Sequence, residues 1–149
     1  MLLVLSCSAS HAALGEKRAL PAPASTSSST ATQLRALKPA LQTAGVTQQS
    51  TTLPTGTTVV EYLDKTGTVF AISWQGPVLP DLPATLGSYF PQFTAEVQRL
   101  GRAARASGAL NLRTADLVVH SQGRMRHFSG YAYAPGLVPE GLDVQDALR

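Results

Sequence analysis

The sequence predicts an α+β fold: an antiparallel sheet of four to five strands, in the order β-β-β-α-β-β, with one kinked helix packed on one face. Three observations carry this expectation. Two β-prone runs, Thr57 to Leu63 and Thr68 to Trp74, flank the turn Asp64-Lys65-Thr66-Gly67. Apolar residues then recur at intervals of three and four, as Leu82, Leu86, Phe90, Phe93, Val97, Leu100 and Ala104. A second strand pair follows, Asp116 to Gln122 and Met125 to Ala134. Antiparallel strands of alternating polarity suit a sheet covered on one side.

Taken in order, residues 1–13 read as a secretory signal: the apolar Met1-Leu2-Leu3-Val4-Leu5 gives way to Ser8-Ala9-Ser10-His11-Ala12-Ala13, with cleavage after Ala12 or Ala13. The basic n-region is missing, which leaves an upstream start codon open. Lipidation of Cys7 through Val4-Leu5-Ser6-Cys7 is disfavoured, because the signal would be very short. Without Cys7 the mature chain has no disulfide and no thiol nucleophile. Residues 14–45, rich in Ala, Pro, Ser and Thr, read as a disordered linker that cannot bury enough apolar surface to offset its ordering entropy. Residues 46–149 form one small domain. All nine aromatic residues fall between Tyr62 and Tyr133, which places the core there.

Within the domain, Val46 to Leu53 is expected as an edge strand, and Leu53-Pro54-Thr55-Gly56 as a turn with a left-handed glycine. Gly67 closes the next loop in the same way. That loop pairs Asp64 with Thr68, and counting outward pairs Tyr62 with Phe70, Val60 with Ile72, and Thr58 with Trp74. The register puts Tyr62, Val60, Phe70, Ile72 and Trp74 on one apolar face. Asp81 is expected to cap the helix, and Gly87 with Pro91 to break it near Ser88–Phe90. Gly108 ends the helix. The second hairpin turns at Gln122-Gly123-Arg124, so that Val118 faces His127 and His120 faces Met125. Asp143 caps a last turn through Leu148.

Glu61-Tyr62, Gly67-Thr68-Val69-Phe70, Trp74-Gln75-Gly76-Pro77, Pro80-Asp81-Leu82 and Leu86-Gly87-Ser88-Tyr89-Phe90-Pro91 resemble a family of short exported proteobacterial proteins, as do Asp116-Leu117-Val118-Val119 with Met125-Arg126, Phe128 and Gly130. The family is domain of unknown function 2844. The resemblance covers roughly residues 50–142 and implies a signal peptide, a variable linker and one small domain. It brings no activity, cofactor or catalytic residue.

The chemistry-bearing residues do not assemble into a recognised catalytic set. His120 and His127, with Asp116, offer too few ligands for zinc, which takes four in structural sites and three plus water in catalytic ones. Ser121 and His120 are adjacent on a strand and point to opposite faces, so they form no dyad. Glu61, Asp64, Asp81 and Asp116 could supply the carboxylate pair of a glycosidase, although turn, cap and strand-end roles account for most of them. No metal or other cofactor is expected. Nor is nucleic acid, since the net charge is only +3 and no binding motif is present. No segment approaches the apolar length of a transmembrane span.

Two groups of residues remain as a partner-binding surface. One is basic: Arg99, Arg102, Arg105, Arg124 and Arg126. The other is aromatic: Tyr89, Tyr131 and Tyr133. Trp74, Phe70, Gly67, Asp81, Gly87 and Pro91 are read as structural. The function expected is that of a non-catalytic periplasmic or cell-surface accessory protein. It would bind an envelope protein or polysaccharide through an exposed sheet face or edge strand. The alternatives are a small glycan-acting hydrolase and a basic adaptor for anionic envelope polymers.

Overall fold

A computed structural model of the chain describes residues 13–18, 45–101 and 109–148. Threonine- and β-branched-rich runs form β1 (Thr47–Thr52), β2 (Thr58–Leu63) and β3 (Val69–Gly76). After the helical region come β4 (Ala109–Arg113), β5 (Val118–Arg124) and β6 (His127–Tyr133). They build one antiparallel sheet in spatial order β1-β2-β3-β6-β5-β4. Two three-stranded meanders therefore join through β3 and β6, and the expected four to five strands are corrected to six. The added strand is β4. Its Leu110 and Leu112 do alternate with Asn111 and Arg113, but five residues beside the expected helix end give a weak period-two signal. The expected helix end at Gly108 is corrected: the helix stops at Leu100, capped by Gly101 at φ +61°, while Ala104 and Gly108 lie outside the described residues.

Asp81 caps α1 (Leu82–Leu86): its carboxylate accepts the Ala84 amide at 3.5 Å, and its carbonyl accepts the Thr85 hydroxyl at 2.6 Å. Gly87, at φ +51°, turns the chain into a single 3-10 turn through Tyr89. α2 (Phe90–Leu100) follows. The break falls where the sequence places it. Pro91 opens the second helix, in a turn whose N–H groups have no helical partner to lose.

The β2–β3 loop closes as expected, with Asp64 and Thr68 bonded backbone to backbone at 3.0 Å and Gly67 at φ +81°. One step further the register departs. Leu63 pairs with Val69 but Tyr62 pairs with Ala71, so Phe70 is an extra residue in a β-bulge. Beyond it Glu61 pairs with Ile72, Val60 with Ser73 and Val59 with Trp74. This corrects the pairs Tyr62–Phe70, Val60–Ile72 and Thr58–Trp74. The physical reason is that the bulge lets Phe70 and Ala71 both enter the cluster around Tyr62, which strict alternation forbids.

The sheet accordingly has two clusters. On the helix-covered face Val59, Leu63, Val69, Ile72, Trp74, Leu112, Val119 and Ala132 pack under Leu86 and Phe93. Trp74 lies over its cross-strand partner Gly130, where a Cβ would fall 2.6 Å from the indole. Phe128 lies over its partner Gly123 in the same manner. On the second face Tyr62, Phe70, Ala71, Val118 and Tyr133 are covered by α3 (Val144–Leu148) through Val144 and Ala147. The Asp143 carboxylate accepts the Gln145 amide at the start of that helix.

Residues 13–18, expected at the end of the signal and the start of the linker, form a strap bound to the domain, with a turn at Leu14–Gly15. The amide of Leu14 donates to the Thr85 carbonyl at 3.0 Å, and that of Gly15 to Val69 at 2.8 Å. Glu16 accepts from Val69, and the amide of Arg18 donates to Gly67. Leu14 is 0% exposed within the helix-covered core. Burying such a leucine contributes about 1.5–3 kcal/mol. The linker expectation from residue 14 is thus corrected at its first residues; residues 19–44 lie outside the described residues. No described helix is long and apolar enough to cross a membrane.

Candidate functional site

The C-terminal helix covers only one end of the second face. At the other end the register lines up two rows across the sheet. One runs Asn111, His120, Tyr131, Ser73, Val60 and Ser50; the next runs Ala109, Gln122, Ser129, Gln75, Thr58 and Thr52. None of these side chains is fully buried. They are amides, hydroxyls, an imidazole and one phenol, with few aliphatics. Neither row contains an Asp or Glu.

Rings organise the centre. Tyr131 stacks between His120, at a centroid distance of 5.3 Å, and Tyr133, at 6.3 Å. Tyr133 is buried beneath the C-terminal segment, while Tyr131 and His120 are half-exposed. His120 Nδ1 bonds Asn111 Oδ1 across the strand pair. Gln122 donates to the Ser129 hydroxyl at 3.1 Å, and the Tyr62 and Ser73 hydroxyls are 3.4 Å apart. The side chains are thereby oriented before any ligand arrives.

Both members of the β5–β6 hairpin follow a turn different from the one expected. Met125 and Arg126 form it, at φ +20° and +62°, and Gly123 sits inside β5 beneath Phe128. His120 consequently pairs with Tyr131, and His127 with Arg124. This corrects the expected pairs His120–Met125 and Val118–His127. Four residues separate the two imidazole rows, about 13 Å at strand rise, too far to share a metal. Among the described residues no three metal-binding side chains cluster.

The basic residues are not brought together. Arg99 is on α2 over the helix-covered face and donates to Glu96 at 2.8 Å. Arg124 lies on the second face beside His127, and Arg126 is in the hairpin turn. Arg102 and Arg105 lie outside the described residues. The tyrosines divide as well. Tyr89 faces Gly15 of the strap, where a Cβ would fall 2.9 Å from its ring, whereas Tyr131 and Tyr133 share the second face. Of the six residues read as structural, Trp74 and Phe70 are core, Gly67 and Gly87 are left-handed turns, and Asp81 and Pro91 start helices.

Glu61 is 8% exposed on the helix-covered face and accepts from Arg18 at 2.7 Å. It joins the strap to the sheet. Asp64 is a turn residue whose Oδ1 accepts from the Thr66 amide and hydroxyl and the Thr68 amide. Burial alone would raise its pKa. Those bonds, with Lys17 nearby, outweigh burial and hold it below its ordinary value of 3.8.

Sequence reasoning missed Asn111, Ser73, Gln122 and Ser129. The signal that could have found them is the alternation His120-Gln122-Arg124 against His127-Ser129-Tyr131, once the hairpin turn is set at Met125–Arg126.

No curated protein and no solved structure matches the chain significantly. A family model described as protein of unknown function matches residues 10–147, a range that takes in the strap and most of α3 as well as the sheet. The chain belongs to that family, DUF2844.

Proposed function

We propose that this is an exported, non-catalytic accessory protein that holds an envelope polysaccharide on the open half of its sheet. The observation that supports it is the His120–Tyr131–Tyr133 stack, set among oriented amides and hydroxyls on a face with no carboxylate in its two open rows. A half-exposed ring offers the apolar side of a sugar a flat surface, and the surrounding Asn, Gln and Ser groups match its hydroxyls. A glycosidase needs two carboxyl groups about 5–9.5 Å apart, and Glu61 is spent on the strap. Exposed Arg124, Arg126 and His127 at the hairpin tip favour a polymer with anionic substituents.

Calorimetric titration with neutral and acidic envelope oligosaccharides tests this. Binding should be lost in Tyr131→Ala while the fold is kept, and the acidic ligand should weaken as salt rises. Equal binding by the wild type and Tyr131→Ala would defeat the reading.

A further inference from the structure

We infer that the Ala12–Ala13 bond is the processing site of this chain and that the new N-terminus, Ala13, becomes a built-in part of the domain. The inference rests on the reading of the chain as exported. Hydrolysis adds water across that bond, leaving a carboxylate on Ala12 and an amine on Ala13. The catalyst by class is a leader-removing peptidase that selects small side chains. Ser10 and Ala12 occupy the third and first positions before this bond; a cut one residue later places His11 in the third.

The fold discriminates between the two bonds independently of that pattern. Leu14 is completely buried, and its nitrogen donates one hydrogen bond, to the Thr85 carbonyl at 3.0 Å. As a peptide N–H it is satisfied. Were the chain cut after Ala13, that peptide N–H would become a charged amine and the packing of Ala13, itself only 6% exposed, would be lost. Ala13 itself seats against Gly87, where a Cβ would strike the alanine methyl. Cuts further along remove bonds in turn: Gly15 to Val69, Val69 to Glu16, Arg18 to Gly67, and the Arg18–Glu61 pair. The region matched by the family model begins at residue 10, so the strap lies within it. Processing is therefore bounded on its downstream side by the packing of the mature domain.

Two measurements decide this. The full-length chain, expressed with a C-terminal tag in a bacterium that exports it, should give a periplasmic protein whose intact mass starts at Ala13. A periplasmic start at Leu14 or beyond overturns the inference while export stands. Chain retained in the cytoplasm even with a basic n-region supplied ahead of Met1 overturns both. Separately, chains released from a cleavable fusion to begin at Ala13, Leu14 or Ala19 should melt in that descending order. The Leu14 start should lie about 4–8 °C below the Ala13 start near pH 7. Equal melting temperatures for the three chains would refute a structural role for the strap.

Discussion

The two faces of this sheet are made by the same six strands, yet they are finished in opposite ways. On the helix-covered face large rings are laid over glycines, Trp74 over Gly130 and Phe128 over Gly123, and a broken helix and the strap seal the layer. On the second face the rings stack on one another, Tyr133 under the C-terminal helix and Tyr131 at its open margin. A ring over a glycine fills the sheet surface and leaves nothing to bind. A ring stacked beside amides leaves a surface with shape and polarity. The comparison places the sealed core on one side and the proposed recognition surface on the other.

The largest expected effect attacks the sealed side. Trp74→Ala should cost about 3–5 kcal/mol in denaturant unfolding, since it empties a site that is 2% exposed. Its indole N–H is buried with no hydrogen-bond partner among the described residues, so Trp74→Phe should lose packing but no hydrogen bond to them. Gly130→Ala should cost about 1–3 kcal/mol, because the added methyl meets both the Trp74 ring and the His120 carbonyl. Either variant leaving stability unchanged would break the division of labour.

Smaller changes sharpen it. Arg126→Gly should stabilise by about 1 kcal/mol, relieving a side chain held at φ +62°, and should leave the stacked rings in place. Asp64 has a depressed folded pKa, so its contribution is present above its ordinary value of 3.8 and is lost as pH falls through the lower folded value. As pH falls below 3.8 the melting temperature of the wild type should therefore fall more than that of Asp64→Asn. Smallest of all, Gln122→Ala should change stability by no more than about 0.5 kcal/mol, being exposed, while weakening glycan binding.

Much of the architecture is legible in the chain because it is written in local chemistry. Pro54-Thr55-Gly56 and Lys65-Thr66-Gly67 encode their turns, and Asp81, Gly87 and Pro91 mark the helix breaks by what their side chains permit. What escaped depends on distant partners. The bulge at Phe70 exists because Phe70 and Ala71 both find places beside Tyr62, and no local rule signals that. β4 gains strand geometry from β5, and the strap from Val69 and Thr85. The Met125–Arg126 turn contradicts its own residue preferences, since neither residue favours a positive φ. The open face was only partly legible for the same reason: its members come from all six strands, and the register that aligns them is set by two features that alternation does not announce.

The extra residue at Phe70 acts on side-chain direction as a frameshift acts on codons. Everything from Ala71 to Gly76 is read in a phase set by that single insertion, and β6, paired to it, inherits the phase. Strict alternation through Phe70, with no bulge, would send Ile72 and Trp74 toward the side where sugars are proposed to lie, and Ser73 toward the helix. Deleting Phe70 would instead join the pairs Leu63–Val69 and Tyr62–Ala71 in regular register and leave both faces as they are. The bulge is thus what lets a chain with this spacing keep its inside and its outside in place.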